Sequence, residues 1–147
     1  MIDLADRAVV GWSLSDNMTP EHTTIKAFKK AISNRKPKQQ MIFHSDRGVQ
    51  YAAKQFQELL KKNQCRQSMS RKANCWDNAV AESFFKTIKV ECINRENLIN
   101  TEHAYATIFD YIDGWYNTKR LHSALGGISP ACAYAKLQNQ TFNRADS

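Results

Sequence analysis

The 147-residue sequence has no long apolar run, no secretory leader pattern and no metal-binding spacing of cysteine or histidine. No window approaches about 18 consecutive apolar residues, which excludes a membrane-spanning helix. The start, from Met1 to Arg7, lacks the basic-then-apolar order of a signal peptide. The four cysteines form no CxxC pair and the four histidines no HxxxH spacing, which argues against a zinc site. We therefore expect a cytoplasmic protein with reduced thiols and no membrane partner.

Acidic residues are in deficit, with 14 Asp and Glu against 21 Lys and Arg, which gives a net charge of +7. This balance favours a polyanionic partner, nucleic acid first and an acidic membrane surface second, although many basic domains bind neither. The 42% hydrophobic and 24% charged residues are typical of globular proteins and exclude wholesale disorder. The length predicts about one domain.

Hydrophobic periodicity predicts an α/β protein with a mixed sheet flanked by helices. The first two strands are expected to form a hairpin, and the apolar run at residues 41–43 a strand covered on both faces. In chain order, the predicted elements are strands at 2–4 and 8–15, a helix from Thr19 to about Asn34, a strand at 41–43, a helix carrying Phe56, Leu59 and Leu60, a strand at 65–69, helices at about 78–92 and 101–117, and a short last helix from Ser129-Pro130.

The helix predicted at about 78–92 is strongly amphipathic. Glu82, Lys86 and Lys89 lie together on its polar side, at spacings of i, i+4 and i+7. A solvated Glu–Lys pair, worth about 0.2–0.5 kcal/mol, is one explanation of this polar side. Its apolar face comprises Val80, Ala81, Phe84, Phe85, Ile88 and Cys92.

Asp46 stands just past the carboxyl end of a predicted strand, where open α/β sheets place ligands and catalytic groups. Taken alone, it is better explained as the cap of the following turn, which contains Gly48. Together with Glu82 it suggests a metal site, because carboxylates about 4 Å apart repel by roughly 4 kcal/mol at an effective dielectric of 20. Oxygen ligands suit Mg²⁺ or Mn²⁺, and two such ions can promote in-line attack on a phosphodiester.

Three long motifs surround these acids: the run from His44 to Tyr51, the run from Met69 to Phe85, and the run from Tyr116 to Gly126 followed by Ser129-Pro130. Together they closely resemble the catalytic core of bacterial insertion-sequence transposases related to retroviral integrases. The resemblance extends over nearly the whole chain, from residue 3 to about residue 135. It implies a ribonuclease-H-like fold and an Asp, Asp, Glu triad that binds two divalent metal ions.

The resemblance also assigns roles to particular residues. In the family, thirty-five residues separate the last two acids, as they separate Asp46 from Glu82 here, so these two match the second and third acids. Lys89, seven positions after the glutamate, matches a basic residue that contacts the transposon end. The predicted DNA contacts are Lys89, Lys86, Arg71 and Lys72, and the predicted metal ligands are Asp46 and Glu82.

The sequence departs from the family at its start. The family's first aspartate lies on a strand ahead of the hairpin, and neither Asp3 nor Asp6 matches that position. We therefore expect a catalytic core at residues 1–136 that lacks the first strand, and a C-terminal tail at 137–147. Two acids instead of three predict weak Mg²⁺ or Mn²⁺ binding and little or no strand transfer. An exposed sheet edge predicts a homo-oligomer.

Two functions stay open from the sequence. One is a transposase catalytic core that cleaves and joins DNA strands with Mg²⁺, and the other is a non-catalytic DNA-binding or self-associating remnant of such an enzyme. An RNA nuclease of the same fold is less favoured, because the motifs extend past the acids. Trp12 and Trp115 are expected to pack in the core, and His44 and His122 to be ordinary hydrogen-bonded histidines.

Overall fold

The computed structural model describes residues 1–17, 19–37, 40–71 and 78–145, with backbone alone for 141–145. The chain divides into two compact units. The first consists of Met1 and Val10–Phe84, and the second of Ile2–Val9 and Phe85–Ser147. None of the described helices is long and apolar enough to cross a membrane.

The first unit is a small α/β layer. Its helical elements are a π-helical segment, Glu21–Ile25, that continues into α1 (Lys26–Arg35), then α2 (Val49–Ala52) and α3 (Lys54–Lys62). Its strands, β1 (Met41–Ser45) and β2 (Cys65–Met69), pair in parallel, with Met41 opposite Cys65 and Ser45 opposite Met69. Helix α3 connects them, as parallel strands require a crossover connection.

A cluster of aromatic rings forms the core of the first unit. Phe56 of α3 is completely buried and meets Phe28 of α1, Phe43 of β1 and Tyr51 of α2 at ring-centroid distances of 5.8, 5.2 and 5.9 Å. Leu60 is buried in the same cluster. Each helix of the unit therefore supplies an apolar side chain to one face of the sheet.

The α/β class and the positions of α3 and β2 are confirmed, but two details of the predicted sheet are wrong. The side chains of β1 are not covered on both faces, because Ile42 is 67% exposed. The sheet is also not mixed as predicted, because among the described residues it has two strands and they are parallel. The predicted hairpin contributes one antiparallel bridge, between Ile2 and Val9, with a turn at residues 4–6. Its backbone is bonded to itself and, at Val9, to the Asn117 side chain, and within the described residues it does not pair with β1.

The second unit is helical. It contains most of α4 (Ala79–Glu91), a 3₁₀ turn at Ile93–Arg95, α5 (Thr101–Phe109) continuing as a π-helical segment (Asp110–Tyr116), a 3₁₀ turn at Ser123–Leu125, and α6 (Pro130–Ala145). The Asn100 side chain caps α5 by accepting a hydrogen bond from the His103 backbone N–H at 2.8 Å. Helix α6 has 16 residues and is longer than the short helix expected from the sequence.

The last of the three motifs builds the scaffold of the second unit. The Asn117 side chain accepts a hydrogen bond from the Val9 N–H at 2.9 Å and donates one to the Val9 carbonyl at 3.0 Å, as a neighbouring strand would. The Asn117 carbonyl accepts from the Ala131 N–H at the start of α6. The His122 ring packs edge-on against Tyr116 at 4.9 Å. Asn117 thus connects the hairpin to the start of α6.

Candidate functional site

Asp46 lies directly after β1, at the carboxyl end of the parallel pair, and is exposed. One of its carboxylate oxygens, Oδ1, accepts a hydrogen bond from the Gly48 N–H at 2.9 Å. The Ser45 hydroxyl donates to the Asp46 carbonyl at 2.9 Å. The turn-capping explanation of Asp46 is therefore correct, and it leaves the second carboxylate oxygen without a hydrogen bond among the described residues.

Ser70 ties the end of β2 to the segment that carries Asp46. Its backbone N–H and its hydroxyl both donate to the Ser45 carbonyl, at 2.8 and 3.2 Å. Its own carbonyl accepts from Arg47 Nε at 3.0 Å. Ser70 is therefore bonded to the backbone of Ser45 and to the side chain of Arg47, the two residues that flank Asp46.

His44 reinforces this connection. Its Nδ1 lies 3.0 Å from the Ser68 hydroxyl and its Nε2 lies 3.2 Å from the Ser70 hydroxyl. When the Ser70 hydroxyl donates to the Ser45 carbonyl, it accepts from His44 Nε2–H. In a neutral ring, Nδ1 then accepts from Ser68. The expectation that His44 is an ordinary hydrogen-bonded histidine is confirmed, and its bonds span both strands.

Tyr51 is the aromatic neighbour of this turn. Burial, and secondly the charge of Asp46, raise the pKa of its hydroxyl. The Tyr51 carbonyl accepts a hydrogen bond from the Gln67 side chain at 2.8 Å. Since Tyr51 also contacts Phe43 and Phe56, it connects the segment after Asp46 to the aromatic core of the first unit.

Glu82 lies in the first turn of α4 and is exposed, like Lys86 and Lys89. Their spacing puts all three on one face of this helix, as the sequence predicts. Asp46 and Glu82 belong to the same compact unit. That their carboxylates share one cation remains a prediction.

The other predicted contacts have mixed positions. Arg71 is exposed just after β2. Lys72, like Trp76, lies outside the described residues. Within the described ranges, no group of three His, Cys, Asp or Glu side chains is placed to hold a metal ion.

The second unit contains an ion pair that the sequence does not predict. Arg120 donates to Glu91 from Nε at 3.1 and 3.0 Å and from Nη2 at 2.8 Å. The Tyr111 hydroxyl also donates to Glu91, at 2.7 Å. The hydrogen bonds from Arg120 lower the pKa of Glu91, whereas burial and the bond to Glu91 raise the pKa of Tyr111. No local pattern signals this pair, because 29 residues separate its members.

We expect Arg120→Met to lower the free energy of unfolding at pH 7 by about 1–3 kcal/mol, since Glu91 is left partly buried without its partner. Because the folded-state pKa of Glu91 is depressed, the pair stabilises fully above the ordinary pKa near 4.5 and loses this effect as pH falls through the folded value. The variant should therefore lose less stability on acidification. Urea unfolding at several pH values measures both effects.

Lys54→Met provides the control, because it removes the exposed pair of Lys54 with Glu58, whose atoms are 3.9 Å apart. That change should leave stability nearly unaltered. Equal acid sensitivity of the Arg120→Met variant and the unmodified chain would contradict the role given to Glu91.

Comparison with known proteins gives the class of this chain. Residues 1–75 match the family described as integrase core domain, and residues 63–130 match a second family of the same description. The chain therefore belongs to the integrase core family.

Individual relatives are transposases of bacterial insertion sequences. The chain is 47% identical over 130 residues to the transposase InsF for insertion sequence IS3A of Escherichia coli K12, which covers 88% of this chain and 45% of that protein. It is 41% identical over 129 residues to the transposase for insertion sequence element IS904 of Lactococcus lactis, with 88% of this chain and 51% of that protein covered. The resemblance to insertion-sequence transposases is confirmed. The chain spans about half the length of these relatives.

Proposed function

We propose that this chain is the catalytic-core part of a DNA transposase with a ribonuclease-H-like fold, acting on phosphodiester bonds through a divalent metal. The observation that carries the proposal is the position of Asp46, held at the carboxyl end of β1 by a preformed turn in a chain of the integrase core family. Glu82, in the first turn of α4 and in the same compact unit, is the second acid of the proposed site.

The chemistry of these two residues fits Mg²⁺ or Mn²⁺. Both are exposed carboxylates, and hard divalent cations prefer oxygen ligands. Asp46 and Glu82 would hold the ion, which when bound supplies activation of a water or 3′-hydroxyl and stabilisation of the leaving oxygen. Two carboxylates make a small donor set, so we expect weak binding.

The remaining residues of the site position these acids and bind DNA. The Gly48 N–H holds the Asp46 carboxylate and Ser70 is bonded to both flanking residues, so that the carboxylate need not be ordered by the substrate. Lys86 and Lys89, on the same helical face as Glu82, are proposed to contact DNA phosphates, as are Arg71 and Lys72. Such contacts position the strand and carry no sequence information.

Only two of the three acids of the family have an assigned residue. Asp3 Oδ1 accepts from the Ala5 N–H and Asp6 Oδ1 from the Ala8 N–H, so both carboxylates take part in the hairpin turn. Asp6 is also completely buried. These roles support leaving the first catalytic position unassigned, and we propose that this chain performs little or no strand transfer. The proposed division at residue 136 falls inside α6.

The second candidate function is a non-catalytic DNA-binding or self-associating protein of the same family. The exposed apolar side chains Ile42 on β1 and Val90 on α4 favour self-association into a homo-oligomer. DNA binding without measurable Mn²⁺ binding would favour this candidate over the catalytic one.

The metal site is tested by Asp46→Asn and Glu82→Gln. Each should weaken Mn²⁺ binding, measured by isothermal titration calorimetry, by about tenfold or more, because each removes one anionic oxygen ligand. Glu58→Gln, which removes an exposed carboxylate on α3, should leave the affinity unchanged. Unaltered Mn²⁺ affinity in both site variants would rule out the proposed metal site.

The DNA face is tested by Lys89→Ala. We expect the logarithm of the DNA-binding constant to fall linearly with the logarithm of salt concentration, and the variant to reduce that slope by about 0.9 because one phosphate contact is lost. Lys54→Ala makes the same charge change on α3 and should preserve the slope. An unchanged slope and affinity in Lys89→Ala would refute the proposed DNA contact at this position.

A further inference from the structure

The second unit contains an open cavity of about 550 Å³ that has no part in the metal site. All of its lining residues belong to this one unit. They are Glu91, Arg95, Tyr111, Trp115, Arg120 and Leu121.

The charges at one side of the cavity are internally compensated. The Arg120 guanidinium and the Tyr111 hydroxyl both donate to the Glu91 carboxylate. Because Arg120 balances its negative charge, Glu91 repels a bound anion only weakly. Arg95 adds a further positive charge. Its Nε donates to the Val90 carbonyl at 3.1 Å, its charge is among those that lower the pKa of Glu91, and within the described residues its terminal nitrogens donate no hydrogen bond. A guanidinium with two free nitrogens is suited to bidentate phosphate binding.

Trp115 and Leu121 give the cavity an apolar side. Trp115 is 48% exposed, contrary to the expected core position, and Leu121 is 67% exposed. The Trp115 carbonyl accepts hydrogen bonds from the Lys119 and Arg120 N–H groups at 2.8 and 2.9 Å, which fixes its backbone. A half-exposed indole that lines the same cavity as Arg95 offers a stacking surface near a site for an anion.

We propose that this cavity binds an unpaired nucleotide, with the base stacked on Trp115 and its phosphate on Arg95. An aromatic face together with a guanidinium whose terminal nitrogens are not hydrogen-bonded matches the two parts of a nucleotide, and stacking requires a base that is not paired in a duplex. This inference rests on the proposed function, since it supposes that the chain acts on DNA. It adds to that function a preference for DNA ends or junctions with single-stranded bases.

The experiment measures binding of the full chain to three fluorescent duplexes by anisotropy. One is a blunt duplex of roughly 20 base pairs, the second carries an overhang of about three thymidines, and the third carries the same overhang without bases. The thymidine overhang should increase affinity over the abasic overhang by about tenfold, because only the former can stack. Trp115→Ala should remove this gain and leave blunt-duplex affinity unchanged, whereas Trp115→Phe should keep most of it.

Two further variants sharpen the test. Arg95→Gln should weaken binding of both overhangs several-fold, because the phosphate is present in each. Phe109→Ala, which removes a half-exposed aromatic ring outside the cavity, should retain the full gain.

Equal affinity for the thymidine and abasic overhangs, or a full gain in Trp115→Ala, would overturn the inference. If the blunt duplex is bound with the expected salt dependence while the overhang gives no gain, the inference alone fails. If no duplex is bound, the proposed function fails and the inference fails with it. Displacement of the overhang from the cavity by an acidic aromatic peptide at lower concentration than by oligothymidine would also overturn the choice of ligand.

Discussion

Phe56→Ala is expected to lower the free energy of unfolding of the first unit by about 3–5 kcal/mol. Phe56 is completely buried and touches rings from α1, β1 and α2, so no single neighbour can move to fill the space. The loss combines the transfer free energy of the ring, the cavity left behind and the edge-to-face contacts. Unfolding in urea, followed by circular dichroism, measures the change.

Phe85→Ala is the matched control for this experiment. The same atoms are deleted, but Phe85 is 60% exposed on α4, so the expected cost is below about 1 kcal/mol. Phe56→Leu should give an intermediate loss, because most of the volume is retained. Similar losses in Phe56→Ala and Phe85→Ala would show that the aromatic cluster does not limit the stability of the first unit.

The same cluster connects stability to the proposed site. Phe43 and Tyr51 contact Phe56 and lie on β1 and α2, the elements before and after Asp46. A loosened core should therefore disturb the Asp46 turn, and Mn²⁺ binding should weaken in Phe56→Ala even though no ligand has changed. Phe85→Ala should leave Mn²⁺ binding unaltered.

The sequence predicted regular elements well where the pattern is local. Helix α3 and strand β2 have the expected positions, and Ile88 on α4 and Cys92 directly after it are buried, as the periodicity of this segment indicates. The positions of Asp46 after a strand and of Glu82 on a polar helix face were also predictable, because each depends on the pattern of a single strand or helix.

Burial was harder to predict than secondary structure. Ile42, Phe85 and Trp115 are apolar and belong to predicted strands or helices, yet Ile42 and Phe85 are mostly exposed and Trp115 is half-exposed. Exposure depends on which other element packs over a side chain, and that is a tertiary property with no signal at a spacing of two or 3.6 residues. Each of these residues was predicted to be buried, and in the structure no other element covers it fully.

The polar networks were unpredictable for a related reason. Asn117 and Val9 are 108 residues apart in the chain, and the hydrogen bonds between them follow no local spacing. From the sequence, Asn117 and Arg120 were known only as members of a motif. In the structure Asn117 is bonded to Val9 of the hairpin and Arg120 to Glu91. A motif indicates that its residues matter and leaves open whether they act in chemistry or in packing.

Gly11→Ala is expected to destabilise the first unit by about 3 kcal/mol, at the upper end of the usual cost of overpacking. Gly11 lies against α1, and an added Cβ would clash with the Ala27 carbonyl oxygen and stand 2.7 Å from the Ala31 backbone nitrogen. Both atoms belong to the helix backbone and cannot rotate away. The segment cannot easily shift either, because the Val10 carbonyl accepts a hydrogen bond from the Asn34 side chain at 2.9 Å.

Gly114→Ala is the control that separates this clash from the general effect of replacing glycine. An added Cβ at Gly114 meets nothing within 4 Å, and the residue lies in the helical segment after α5. Because alanine restricts the unfolded chain and favours helix, this change should be neutral or stabilise by up to about 1 kcal/mol. Opposite signs for the two substitutions in urea unfolding would establish the close approach at Gly11. Equal effects would mean that the chain does not pass this close to α1 in solution.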